Sequence, residues 1–263
     1  MKQVLVVDVG NTDVVLAVFR GEDCIQRWRV PTETNKTAEA YGASFRSLFQ
    51  EGKFIFSPDD EIVLSTVVPK LKATIGTALQ QLFSKQPLVV ERSMYDKLPV
   101  KVTGRVALEI VTDLVDNAVA GYLKCKGAVI IVDFGTALSL TAVNHEGLVA
   151  GVAIAPGLAT SVAALYGSTA QLPSISLSVP QSSLGRNTVE SIQSGIVLGY
   201  KHLVEGLVSE MKRDLEKEFG SKDVKVIATG GLSDIIFPLT HVFSCQDKDL
   251  TLKGLRLIAT SIV

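Results

Sequence analysis

Two aspartates at the ends of apolar runs are the residues of this chain best suited to phosphate chemistry. Val4-Leu5-Val6-Val7-Asp8-Val9-Gly10-Asn11-Thr12 and Val129-Ile130-Ile131-Val132-Asp133-Phe134-Gly135-Thr136 share one pattern. In each, a β-branched run ends in aspartate, one apolar residue and glycine. A carboxylate at the end of a buried strand stands at the mouth of a cleft. Glycine lets the backbone approach a phosphate, and Asn11 and Thr12 add neutral hydrogen-bonding groups. A carboxylate repels phosphate, so its use there is as a ligand, directly or through water, for Mg²⁺ bridging the phosphate oxygens. The plain alternative is a hairpin turn, which favours the same residue types. A second copy of the pattern weighs against that alternative, and so does the glycine pair of Thr229-Gly230-Gly231. That pair follows an apolar strand and precedes a helix, where bare backbone lets an adenine or ribose lie flat; a short strand-to-helix turn also wants glycine.

Asp113 is the remaining carboxylate with a chemical reading. It stands near the start of a helix expected over 108–124, preceded by Glu109 and followed by Asp116. It is either a base that accepts a hydroxyl proton as a γ-phosphate moves, or an acidic residue favoured by the helix dipole. Thr188 is equally two-sided: Asn187 or Thr188 caps the long helix that follows, with Glu190 or Ser191 nearby.

The elements that must position these groups fall into two similar series. Strands are expected at 4–9, 14–19 and 24–30, then a helix at 37–50, a strand at 62–67, a helix from Pro69 to about 83 and a short strand at 88–90. The second series has strands at 128–132, 138–143 and 148–154. A long helix runs over 187–219, with Val189, Ile192, Ile196, Tyr200, Leu203, Leu207 and Met211 on one stripe, followed by a strand at 224–228 and a terminal helix at 252–262. Asp8 and Asp133 stand 125 positions apart, too far for a solenoid repeat and about the length of one small domain. The expectation is an α/β protein of two similar lobes with a cleft between them, 1–118 and 119–263.

Composition excludes several classes. With 26 basic and 27 acidic residues there is no basic field for nucleic acid. Cys24, Cys125 and Cys245 form no CxxC pair or zinc quartet, which suits a reducing cytosol. His145, His202 and His241 lack metal-ligand spacing, and no Walker A, GxGxxG or GxSxG sequence occurs. No secretory signal is expected, since the apolar run after Met1-Lys2 is short and lacks a cleavage site. The stretch 147–185 carries no charge, but Pro156-Gly157 interrupts it and no basic cluster flanks it, so a strand, a loop and a helix start fit better than a membrane span.

Taken in order, Asp8-Val9-Gly10-Asn11-Thr12, Asp133-Phe134-Gly135-Thr136-Ala137, Pro156-Gly157, Gly185-Arg186-Asn187-Thr188, Ser194-Gly195, Ala228-Thr229-Gly230-Gly231 and Leu250-Thr251-Leu252-Lys253-Gly254-Leu255 resemble the type III pantothenate kinase family over almost the whole chain. The resemblance implies a duplicated actin-like α/β fold, a cytoplasmic homodimer, and ATP-dependent phosphorylation of pantothenate, the first step toward coenzyme A. It implies that Asp8, Val9, Gly10, Asn11, Thr12, Asp13, Val14 and Val15 form the ATP phosphate loop, that Thr136 contacts ATP, and that Asp113 accepts the proton. It also implies that Asp133 holds a monovalent cation, K⁺ or NH₄⁺, and that Thr188 contacts pantothenate. Gly230 and Gly231 join the ATP contacts, and Asp8 serves Mg²⁺, directly or through water. The family's substrate loop reads Gly-Ala-Asp-Arg; here it is Val111-Thr112-Asp113-Leu114, which keeps the aspartate and replaces glycine and arginine. Leu114 cannot make the forked, charged contact that arginine offers a carboxylate or phosphate. Two other readings stay open: a non-catalytic nucleotide-binding accessory factor, as the Bvg accessory factor branch of the family has been regarded, and a kinase for another small hydroxy compound.

Overall fold

The structure, a computed structural model, describes residues 2–167 and 175–262, so 168–174 of the uncharged stretch lie outside it. The chain divides into two units, Met1–Ala120 with Thr251–Val263, and Gly121–Leu250. The expected division at 118/119 thus meets one at 120/121, and the terminal helix is grouped with the first unit.

In the first unit β1 (Gln3–Val9) is buried almost throughout, because it is the middle strand of its sheet and its Val/Leu run covers both faces. It pairs antiparallel with β2 (Asp13–Arg20), which pairs antiparallel with β3 (Asp23–Pro31). The chain then forms α1 (Ala38–Glu51), capped by Thr37 Oγ1, which accepts from Ala40 N at 3.3 Å. Tyr41, Phe45 and Phe49 recur every four residues on its inner face, and Phe49 packs on Trp28 and Phe54. Burying each such ring stabilises the fold by about 1.5–3 kcal/mol. β4 (Glu61–Thr66) runs parallel to β1, and α2 (Pro69–Phe83) starts on the proline, whose missing N–H costs nothing in a first turn. β5 (Leu88–Val89) closes the order β3-β2-β1-β4-β5. A 3₁₀ turn at Arg92–Lys97 follows.

The helix expected over 108–124 is two helices, α3 (Gly104–Glu109) and α4 (Thr112–Cys125). Ile110 is extended at φ −61° and ψ 133°, so the β-branched pair Ile110-Val111 forms the break.

The second unit repeats the scheme. β6 (Val129–Phe134) pairs antiparallel with β7 (Ala137–Val143), which pairs antiparallel with β8 (Val149–Pro156). α5 (Leu158–Gly167) follows. The long helix expected over 187–219 is α6 (Thr188–Gln193), a π-helical turn at Ser194–Leu198, and α7 (Gly199–Phe219). β9 (Lys225–Thr229) runs parallel to β6. α8 (Ser233–Ile236) and β10 (Cys245–Gln246) complete the unit, with strand order β10-β9-β6-β7-β8. In both sheets the aspartate-bearing strand is central, flanked by its antiparallel hairpin partner and a later parallel strand. Finally α9 (Leu250–Ile262) closes the chain. Among the described residues no helix is long and apolar enough to cross a membrane.

Candidate active site

Asp8 and Asp133 occupy equivalent places. Asp8 is the next-to-last residue of β1 and lies beside Ser65 in the parallel pairing with β4. Asp133 is the next-to-last residue of β6 and lies beside Thr229 in the parallel pairing with β9. Both hydroxyls are buried and without a hydrogen-bond partner. Each unit therefore sets one carboxylate and one hydroxyl side by side at the end of its central strands.

The turn after Asp8 is a tight hairpin: Gly10 N donates to Asp13 O at 2.9 Å, while Thr32 Oγ1 and Thr32 N donate to Gly10 O and Thr12 O. Asn11 and Thr12 are exposed. Val9 and Val14 are fully buried, so only their backbone is available to a ligand. Asp13 forms an ion pair with Arg29 at 2.9 Å.

The turn after Asp133 is closely packed. Gly135 N donates to Ala137 O, and Gly157 N and Thr160 Oγ1 both donate to Thr136 O, at 3.0 and 2.7 Å. A Cβ on Gly157 would overlap the carbonyl oxygens of Gly135 and Thr136, which accounts for glycine in Pro156-Gly157. Gly230 has φ +87°, and its carbonyl accepts from Ser233 Oγ at 2.7 Å. Gly231 has open space where a side chain would start.

Asp113 belongs to the first turn of α4. Its Oδ1 accepts from Leu114 N at 2.8 Å, and Thr112 Oγ1 donates to Thr66 O at 3.3 Å, tying this turn to the end of β4. Burial pushes the Asp113 carboxyl above its ordinary value, opposed by the N–H groups of Leu114 and of Asp113 itself. Val111 is exposed, whereas Leu114 is buried and faces the core.

Three residues of this region have no role assigned to them from sequence: Ser65, Tyr95 and Asp116. Asp116 is fully buried, and its carboxyl is pushed well above the usual range by burial and then by the charge of Asp8; Ser65 opposes this and Asp113 adds to it. Ser65 is near enough to ease ionisation, yet neither Asp116 oxygen has a hydrogen bond of ordinary geometry. Tyr95 is pushed up to about 12, first by burial and then by Asp116.

Thr188 is the first residue of α6. Asn187 is the helix cap: its Oδ1 accepts from Glu190 N at 2.9 Å, while Glu190 Oε2 accepts from Arg186 N. Thr188, one position on, lines an open cavity of about 460 Å³ with Leu165, Ser191, Ile192, Gly195 and Ile196.

Among the described residues no three His, Cys, Asp or Glu side chains are grouped to hold a metal. A single carboxylate such as Asp8 suits Mg²⁺, which keeps several waters and takes the rest of its shell from substrate phosphates. The unpartnered Thr229 hydroxyl beside Asp133 suits an oxygen-bound monovalent ion.

Two mixed five-stranded sheets, each flanked by helices, with an aspartate turn on the central strand, define an actin-like ATPase fold. Solved structures of that fold resemble this chain, though at low identity. A Baf family protein from Campylobacter jejuni matches over 98% of both chains with TM-score 0.57 and 15% identity. MreB 5 of Spiroplasma citri, bound to AMPPNP, matches over 100% of this chain and 97% of its own with TM-score 0.52 and 10% identity. The family model for type III pantothenate kinase matches residues 4–210. A type III pantothenate kinase of Citrifermentans bemidjiense is 40% identical over 254 residues, 97% of each chain. That of Geobacter sulfurreducens is 38% identical over 255 residues, again 97% of each. This chain belongs to the type III pantothenate kinase family.

Proposed function

We propose that this protein transfers the γ-phosphate of ATP to the hydroxyl of pantothenate, giving 4′-phosphopantothenate and ADP. The observation that carries the reading is Asp113, a carboxylate held at the first turn of α4 in the family's substrate-loop position with its proton affinity raised by burial. Its carboxylate receives the hydroxyl proton as the new oxygen–phosphorus bond forms and the bond from the γ-phosphorus to the β–γ bridging oxygen breaks. Catalysis comes mainly from positioning and charge neutralisation.

In this reading the backbone of 8–15 lies along the phosphates, Thr136, Gly230 and Gly231 touch the nucleotide, and Thr188 with Val111 and Thr112 meets pantothenate. Mg²⁺ near Asp8 and K⁺ or NH₄⁺ at Asp133 supply positive charge when bound. The working form is a homodimer in the cytoplasm. Asp113→Asn tests the central role: turnover drops by about 10²-fold or more while ATP affinity stays within about twofold. Parallel loss of both would remove Asp113 from that role.

A second reading follows from Leu114. Its burial leaves the substrate loop without the cation that arginine brings to family members. That favours a nucleotide-binding relative without pantothenate turnover, or a kinase for another hydroxy compound. ATP binding with no phosphorylated product across a panel of hydroxy acids and amides separates the first of these from the kinases.

A further inference from the structure

The second unit holds a polar cavity of about 600 Å³ at the end of its sheet away from the Asp133 turn. Lys225, which lines it, is the first residue of β9 and lies beside Val129 at the start of β6. Thr229, beside Asp133, is the last residue of β9. Four residues of strand, about 13 Å, separate the two levels. Two further lysines border the cavity: Lys212 from α7, half-buried, and Lys222 from the turn that follows that helix. Glu216, one turn beyond Lys212, and Asp223, next to Lys222, line it as well. Yet among the described residues none of these five side chains forms an ion pair.

The walls that carry these groups are pinned. Ser221 is buried; its N donates to Leu215 O at 3.1 Å, and its Oγ accepts from His145 N at 3.2 Å. Facing it across the strand, Ser244 N donates to Val226 O at 2.7 Å and Ser244 Oγ accepts from Val226 N at 3.1 Å. Phe243, also on the lining, has its ring 5.7 Å from that of Phe237 and 6.2 Å from that of Phe134. The cavity is therefore formed before any ligand enters, which lowers the cost of binding. Three cations gathered round one space without a neutralising contact repel one another, and a bound anion relieves that repulsion. A carboxylate needs one such partner. A phosphate monoester carries up to two charges on three oxygens and is met well by several lysines, each acting as a point charge.

We propose that this cavity is a binding site for a small phosphorylated metabolite, separate from the Asp133 turn. The phosphate sits among Lys212, Lys222 and Lys225, and hydroxyl groups on the rest of the molecule donate to Glu216 and Asp223. The volume lies within the range of small-molecule sites, about 300–1,000 Å³. The two carboxylates keep the local charge excess small, so the site selects by contact at short range. The site does not depend on the kinase reading, since none of its residues belongs to the machinery assigned to phosphate transfer.

The test is a ¹⁵N NMR titration of the full chain with inorganic phosphate, ribose 5-phosphate and ribose, at ionic strength held constant with chloride. Phosphate and ribose 5-phosphate are expected to shift the backbone amides of 221–225 and 241–244 along saturating curves, with ribose 5-phosphate binding severalfold tighter. Ribose alone leaves those amides in place. The double variant Lys222→Gln, Lys225→Gln weakens both phosphate ligands by about tenfold or more, because each lysine supplies a charge-assisted hydrogen bond. Both lysines are exposed, so their replacement leaves the fold intact. Shifts that do not saturate, or that chloride alone reproduces, overturn the proposal on the wild-type protein without the variant. Saturation confined to the amides of 133–136 overturns it too, in favour of phosphate at the nucleotide turn. So does an unchanged affinity in the double variant, or ribose binding as tightly as its phosphate ester.

Discussion

Gly230 and Asp133 approach so closely that no side chain fits at Gly230: a Cβ there would overlap Asp133 Oδ1 and lie 2.6 Å from Phe134 N. The left-handed φ of +87° at Gly230 adds a second reason for glycine. Gly230→Ala is expected to lower stability by about 1–3 kcal/mol. It is also expected to weaken ATP binding, because Asp133 must shift. Urea melts and nucleotide titration check both; an alanine variant with wild-type ATP affinity would free Asp133 from this packing constraint.

Gly254 makes an equally tight approach, backbone to backbone, where its Cβ would fall on the Asp116 carbonyl. Because this contact joins α9 to the helix bearing Asp113, Gly254→Ala is expected to cost about 1–3 kcal/mol. Turnover should fall more than ATP affinity. Unchanged melting would mean that α9 yields to the extra methyl without strain.

Asn187 and Glu190 cap α6 reciprocally, and Thr188 is the first residue of that helix. Asn187→Ala should remove about 1 kcal/mol of stability. If Thr188 meets pantothenate, KM for pantothenate rises severalfold while KM for ATP holds. Equal changes in the two constants would place Thr188 away from the acceptor substrate.

Burial raises the proton affinity of Asp113, which must be ionised to act as a base. The acid limb of kcat/KM for pantothenate is therefore expected above the ordinary aspartate value of about 3.9. Stability carries the same sign. Asp113 and Asp116 hold protons more tightly folded than unfolded, so their contribution is fully present below the unfolded carboxylate value and is lost as pH rises through the folded ones. A urea midpoint measured from acid to neutral pH should show a smaller loss in Asp116→Asn than in wild type.

Much of this architecture was legible because its signals are local. The β-branched runs around Asp8 and Asp133, each ending in a glycine turn, gave the hairpins, and their recurrence gave the duplication. Pro69 marked the start of α2 to the residue. The break at Ile110-Val111 was not legible, since a β-branched pair lowers helix propensity only slightly and the residues on both sides favour one continuous helix. β10 has two residues, too few for any pattern. The pairing of Asp8 with Ser65 depends on the register of strands more than fifty residues apart. Asp116 did leave a trace: it interrupts the apolar stripe of Val115, Ala118 and Val119, and a carboxylate inside a buried stripe needs a reason. What could not be read was that both of its oxygens lack a partner.

The most direct measurement is ADP release by the purified protein with Mg·ATP and K⁺, with and without pantothenate, the product being identified by mass. The account predicts release that depends on pantothenate, a product heavier by one phosphate, and loss of both in Asp113→Asn. ATP binding without pantothenate-dependent product, in K⁺ and again in NH₄⁺, would contradict it.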